Sequence, residues 1–129
     1  PINIDFGDIA GNNFKTANQM PTGFTPYEVN MTVACTNISA GVKIALSFQG
    51  TADSHDNTAL VTTNSDIAVR IESITGTKIP VISGLLPVDL NYSTQTGDTT
   101  MKVYPINTTG NLPAGGGFTA TATIQAEIE

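Results

Sequence analysis

Apolar and polar residues alternate with a period of two along most of this chain. No window of about 11–18 residues carries the 3.6-residue spacing of an amphipathic helix. Ile2, Ile4 and Phe6 alternate with Asn3 and Asp5 before Gly7 and Asp8 close the run. Tyr27, Val29, Met31, Val33 and Cys35 share one parity; after a polar break at 37–41, Val42, Ile44, Leu46 and Phe48 share another. Two such runs across a short break predict an antiparallel pair. Residues 50–57 read as a polar loop, and Ile67, Val69 and Ile71 as a further strand. Gly76-Thr77 marks a turn before residues 78–82, where Pro80 implies an edge or bulge position. Leu86, Val88, Leu90 and Tyr92 alternate next, a turn follows at 95–98, and Met101 and Val103 belong to the run after it. This parity puts Tyr27 and Tyr92 on core faces. Residues 110–117 are too rich in Gly and Pro to be regular.

The final segment alternates without error. Phe118, Ala120, Ala122, Ile124, Ala126 and Ile128 stand against Thr119, Thr121, Thr123, Gln125, Glu127 and Glu129. The pattern predicts a strand over 118–129 of roughly 40 Å, about twice the usual length. From Thr119 to Ala126 it carries no charge, no Pro and no Gly. Natural edge strands are blunted by such residues, so this one suits either a central position or an edge meant to be filled. Alanine at three of the six apolar positions either leaves room for larger incoming side chains or fits a close approach of two sheets. Seven short alternating runs with turn signals between them give an all-β, immunoglobulin-like sandwich. No boundary, linker or repeat within 1–129 marks a second domain.

Charge narrows the function. Only 12% of the 129 residues are charged, and the formal net charge is −6. Such a field repels phosphate backbones and anionic lipid, which argues against nucleic-acid partners and polybasic membrane docking. One cysteine and one histidine exclude a Cys/His zinc site and any internal disulfide. Asp53, His55, Asp56 and Asp66 could be drawn as a cluster, but nothing in their spacing fixes a geometry, and they read as a solvated loop. Ser54 beside His55 is no triad, because triad members converge from separated positions. Residues 110–117 lack the Lys-Ser/Thr ending of a phosphate loop. Lys15, Lys43, Arg70, Lys78 and Lys102 are scattered and read as solubility charges. No catalytic residue, metal site or cofactor is expected.

Several segments resemble chaperone–usher pilins. Residues 117–123, Gly-Phe-Thr-Ala-Thr-Ala-Thr, look like the closing strand of that family, and Ile2-Asn3-Ile4-Asp5-Phe6-Gly7-Asp8 resembles its early V-D-F-G-D segment. Residues 30–36 resemble its strand ending in cysteine. Residues 48–55, with Ala68-Val69-Arg70-Ile71 and Ile79-Pro80-Val81, are similar to minor tip subunits of type 1 fimbriae. The resemblance implies an incomplete immunoglobulin-like sandwich lacking its final strand. A periplasmic chaperone supplies that strand first, and the extension of a neighbouring pilus subunit replaces it, with assembly at an outer-membrane usher. It further implies a donor-strand groove formed by Phe118, Ala120, Ala122, Ile124, Ala126 and Ile128 on one side and Ile2, Ile4 and Phe6 on the other. Glu129 would anchor its carboxylate on the chaperone, and Cys35 would be half of a disulfide. The donor extension and the partner cysteine are expected before Pro1, and Ile128 replaces the usual penultimate tyrosine. The expected place is the fimbrium, reached through the periplasm. The alternative is a carbohydrate-binding adhesin module at a fimbrial tip, which would take a host glycan. Lectin sites stack sugars on exposed aromatics. Here there is no Trp, Tyr27 and Tyr92 fall on predicted core faces, and Tyr104 is unassigned.

Overall fold

The computed structural model describes residues 16–17, 19–21, 23–113 and 117–128. Its eight strands are β1 (Tyr27–Ala34), β2 (Ile44–Gln49), β3 (Ala59–Val61), β4 (Ile67–Ser73), β5 (Leu86–Pro87), β6 (Asp89–Asn91), β7 (Thr96–Asn107) and β8 (Thr123–Ile128). The larger sheet runs β1-β7-β4-β3, with β6 also on β7, and the smaller runs β5-β2-β8. Every pairing between these strands is antiparallel.

Period-two patterning decides which side chains meet between the sheets. Met31 of β1, Val69 and Ile71 of β4, and Met101 and Val103 of β7 face Ile44, Leu46 and Phe48 of β2 in one buried cluster. Val29, Val33 and Cys35 pack against it half-buried. The opposite parity of β4 and β7 builds a second cluster on the outer face of the larger sheet. There Ala59, Ala68, Tyr104 and Ile106 are covered by Met20 and Phe24.

The predicted pairing of the first two runs does not form. β1 is taken by β7, a 12-residue strand that registers against all of it, and β2 lies in the other sheet. Residues 35–41 therefore cross between sheets instead of closing a hairpin. Gln95 substitutes for a strand partner: its Oε1 accepts from the Ile38 N–H at 2.8 Å and its Nε2 donates to the Ile38 carbonyl at 2.9 Å. The Cys35 N–H donates to the Gln95 carbonyl at 2.9 Å. Buried backbone groups need such partners, and one amide side chain supplies both.

The run from Leu86 to Tyr92 also divides. Leu86 and Pro87 pair with β2, residues 89–91 pair with β7, and the chain changes sheet at Val88, whose N–H donates to the Ile44 carbonyl at 3.0 Å. Tyr92 consequently leaves the core; it is 37% exposed and its hydroxyl donates to the Val42 carbonyl at 2.6 Å. Tyr27 is likewise 38% exposed, its ring stacked on Phe24 with centroids 5.7 Å apart.

Pro80 lies outside every strand, just past a short segment beside β4. Residue 78 makes only an isolated bridge to Glu72, and the chain then turns tightly, with the Gly84 N–H donating to the Pro80 carbonyl at 3.0 Å. Inside this turn the Ser83 N–H donates to the Val81 carbonyl around Ile82, whose φ of 75° is rare for a β-branched residue. A Cβ on Gly84 would sit 2.5 Å from the Pro80 oxygen and 2.6 Å from its nitrogen, both backbone atoms with nowhere to go. Gly84→Ala is expected to lose about 1–3 kcal/mol of stability, measured by denaturant unfolding. An unchanged midpoint would show that the turn is not a tight constraint.

Candidate functional site

Among the described residues β8 is paired on one side only. In register with β2, Ile124 stands opposite Phe48, Ala126 opposite Leu46, and Ile128 opposite Ile44. Directly opposed residues of an antiparallel pair share a face. Phe48, Leu46 and Ile44 are in the core, so the row 124-126-128 points inward too. That row is nonetheless wet: Ile124 is 39% exposed, Ile128 79%, and Ala126 is exposed as well. Among the described residues β8 has no strand on its other edge.

The outward row is better served. The Ser47 hydroxyl donates to Glu127 Oε1 at 2.9 Å, and Gln49 Nε2 donates to Ser47 Oγ at 3.1 Å. The ladder to β2 and this polar lattice hold β8 in place while its apolar face stays exposed. An inward-facing row in contact with water is the reverse of ordinary sandwich packing.

β8 begins at Thr123, not at Phe118. The preceding chain is engaged elsewhere: the Thr63 N–H donates to the Thr119 carbonyl at 2.8 Å, and the Thr119 N–H donates to Thr63 Oγ1 at 2.9 Å. Thr121 and Ala122 run closely past Gly50, where a Cβ would lie 3.1 Å from the Thr121 oxygen. Phe118 and Ala122 are thus half-buried and Ala120 exposed, ahead of the strand rather than on it. Ile124, Ala126 and Ile128 are the predicted groove residues that share one strand face. Ile2, Ile4, Phe6 and Glu129 lie outside the described residues. Cys35 is a half-buried free thiol 3.9 Å from the Val33 carbonyl.

The acidic residues of the loops serve separate turns. The His55 N–H donates to Asp53 Oδ2 at 2.8 Å, and Asp66 Oδ1 accepts from Thr109 Oγ1 at 2.7 Å. Among the described residues no three His, Cys, Asp or Glu side chains could hold a metal. Asp56 is not a solvated loop residue. It accepts from the Thr58 N–H at 2.9 Å and its hydroxyl at 2.5 Å, and pairs with Arg70 Nη2. Arg70 is therefore not a solubility charge. It is 5% exposed on the outer face of β4, beside the Tyr104 ring, whose hydroxyl donates to Glu72 Oε2 at 2.5 Å. Tyr104 is itself buried. The signal for this network was present in the parity shared by Ala68, Arg70 and Glu72, but one alternating row cannot announce a covered second face.

Burial pushes the Asp56 carboxyl up, but the Thr58 side-chain and backbone bonds and the Arg70 guanidinium outweigh it and hold it below the ordinary carboxylate range. Burial pushes the Tyr104 hydroxyl up, and the bond to Glu72 adds to the rise.

A profile of the fimbrial protein family matches the chain over residues 1–129. Protein LpfD of Salmonella typhimurium (strain LT2) is 36% identical over 140 residues, covering 99% of this chain and 38% of that protein. The probable minor fimbrial subunit LpfD of Escherichia coli O157:H7 is 33% identical over 135 residues, with the same coverage of 99% and 38%. The type 1 fimbrin D-mannose specific adhesin of Salmonella typhimurium is 28% identical over 134 residues, again covering 99% and 38%. The chain thus spans 38% of the length of these relatives. Among solved structures, the P pilus rod subunit PapA superposes with a TM-score of 0.78 at 15% identity, over 100% of this chain and 93% of that one. A subunit from a chaperone–usher pilus structure superposes with a TM-score of 0.76 at 15% identity, over 100% and 82%.

The depressed Asp56 carboxyl makes a signed prediction. Its stabilisation is present in full above the unfolded carboxylate value of about 3.9 and is lost as pH falls through the lower folded value. Asp56→Asn leaves the Arg70 guanidinium buried without its charge partner and is expected to cost about 3 kcal/mol at neutral pH. Urea unfolding should show a smaller loss of stability below pH 4 in the variant than in the wild type. Parallel acid profiles would contradict the pairing.

Proposed function

Because the chain belongs to the fimbrial protein family, the subunits of chaperone–usher pili that reach the extracellular fimbrium through the periplasm, we propose that it is a strand acceptor. It is completed by a β-strand borrowed from another polypeptide. A periplasmic chaperone lends the strand during folding, a neighbouring subunit replaces it during assembly at the outer-membrane usher, and the role is structural rather than enzymatic. One observation carries the reading: the core-facing row of β8 is in contact with water beside an edge that no described residue pairs. A strand added there gains main-chain hydrogen bonds and drops alternate side chains onto an apolar row, the β-augmentation mode.

The magnitudes make this decisive for folding. Burying three apolar side chains of the added strand against these inward positions, at about 1.5–3 kcal/mol each, gives roughly 5–9 kcal/mol before ordering costs. A domain's entire net stability is about 5–15 kcal/mol. Ile124, Ala126 and Ile128 are the acceptor row, with Phe118, Ala120 and Ala122 leading into it. Ile2, Ile4 and Phe6 are assigned to the far wall, and Glu129 to the chaperone's anchor for the chain end. Cys35 is assigned to a disulfide whose other half lies outside this sequence.

The carbohydrate-binding alternative has less support. Tyr104 is buried, Tyr27 stacks on Phe24, and the Tyr92 hydroxyl is spent on a backbone carbonyl. The D-mannose specificity in one relative's name belongs to that whole protein, of which this chain matches 38%.

A peptide with alternating apolar residues is expected to bind the chain and raise its unfolding temperature. Lysine at Ala122 and Ile124 together should weaken that binding at least about 100-fold by placing charges against an apolar strand. The circular dichroism of the remaining sheet should not change. Undiminished binding by the double variant would remove β8 as the acceptor.

A further inference from the structure

We infer that the cavity between the outer face of the larger sheet and the loop carrying Met20 and Phe24 binds a small neutral aromatic molecule with one acceptor oxygen, a ketone or an amide. The cavity belongs to the sheet that does not contain β8, so the site stands apart from the strand-acceptor reading.

Strand pairing makes the floor. Arg70 of β4 stands directly opposite Tyr104 of β7, so the two share the outer face, and the guanidinium carbon lies 5.9 Å from the centre of the Tyr104 ring. The loop makes the wall. It is tied down where the Asn107 N–H donates to the Gln19 carbonyl at 3.1 Å, and it turns back where the Phe24 N–H donates to the Pro21 carbonyl at 3.0 Å. A cavity of about 480 Å³ lies between them, lined in part by Met20, Phe24, Arg70 and Tyr104. Small-molecule sites run from roughly 300 to 1,000 Å³, so this one suits a compact ring. Gln19 and Gly23, which also line it, are exposed, so it opens to solvent.

The polar groups decide what enters. The Arg70 side chain is buried and its Nη2 is taken by Asp56. Its Nε–H has no hydrogen-bond partner among the described residues. An arginine N–H only donates, so the group that satisfies it is an acceptor. A charged acceptor is disfavoured. Asp56 already balances the guanidinium and Glu72 sits at the Tyr104 hydroxyl, so a carboxylate or phosphate would bring a third anion to one cation. A neutral carbonyl oxygen meets no such repulsion, and it relieves the cost of a buried donor left unpaired. Nε is closed to water, so the oxygen reaches it as the half-buried Met20 side chain, unbranched and adaptable, turns aside. The aromatic body of the ligand then packs against Phe24 and the Tyr104 ring.

Three probes of nearly one shape test this by NMR on the full chain: acetophenone, α-methylstyrene, which has a methylene group in place of the oxygen, and benzoate. Acetophenone should shift the Met20 methyl and Arg70 Nε–H resonances saturably, with a Kd on the order of 1 mM. α-Methylstyrene should bind about tenfold more weakly for want of the hydrogen bond, and benzoate at least about tenfold more weakly because of its charge. Arg70→Lys keeps a cation for Asp56 but has no Nε–H, and should lower acetophenone to the affinity of α-methylstyrene. Met20→Trp should fill the cavity and abolish binding of all three while leaving the circular dichroism unchanged. The site is overturned by any of four results: no saturable shift with acetophenone, equal affinities for acetophenone and α-methylstyrene, tighter binding of benzoate, or acetophenone binding that survives Met20→Trp. The first three are read on the wild-type chain, so they decide the matter even where Arg70→Lys fails to fold.

Discussion

Everything distinctive about this molecule follows from one unsatisfied condition. A strand with an apolar face must bury that face, and β8 has its backbone secured to β2 while Ile124, Ala126 and Ile128 meet water. Hydrogen bonding and hydrophobic burial usually arrive together when a sheet forms. Here they are separated: the ladder to β2 is complete from Thr123 to Ile128, and the core cluster takes its side chains from β2 and not from β8.

The other margins of the sandwich are managed in ordinary ways. β3 has three residues and β5 has two, the second of them Pro87, so neither offers a long template. β1 is the other long edge strand among the described residues, but its inward Met31 is buried and Val29 and Val33 pack half-buried on the core. β8 combines length and exposed isoleucines, with no charge before Glu127. The crossing at 35–41, stapled by Gln95, and the sheet change at Val88 give β2 its place at the centre of the smaller sheet. From there β2 supports β8 on one edge and β5 on the other. The buried Asp56–Arg70 pair and the Tyr104–Glu72 bond lie on the outer face of the opposite sheet and stabilise that layer without touching the acceptor row.

Strand positions were legible in the sequence because period two is a local property. The alternation at 27–35, 42–48, 67–71 and 124–128 appears as β1, β2, β4 and β8, and the facing of Ile124, Ala126 and Ile128 follows directly. Partners were not legible. Adjacent runs pair by default, but Thr96–Asn107 is long enough to claim β1, and a glutamine side chain can replace a turn's hydrogen bonds. Strand length failed at 118–122 for a related reason: Thr63 competes successfully for the backbone of Thr119. Arg70 was misread, and Tyr104 left unassigned, because parity names the inner face of a strand and is silent on whether a loop covers the outer one. The resemblance to pilins rested on short motifs in order along the chain, and it supplied an expectation that alternation cannot: an open edge to be filled by another strand.

Amide hydrogen exchange across residues 123–128 tests the central claim most directly, measured on the chain alone and again with a bound strand. If β8 pairs on one edge only, its amides directed away from β2 exchange rapidly in the isolated chain and become protected once a strand is added. Protection of every β8 amide in the isolated chain would mean that the edge is already closed, and the account would fail.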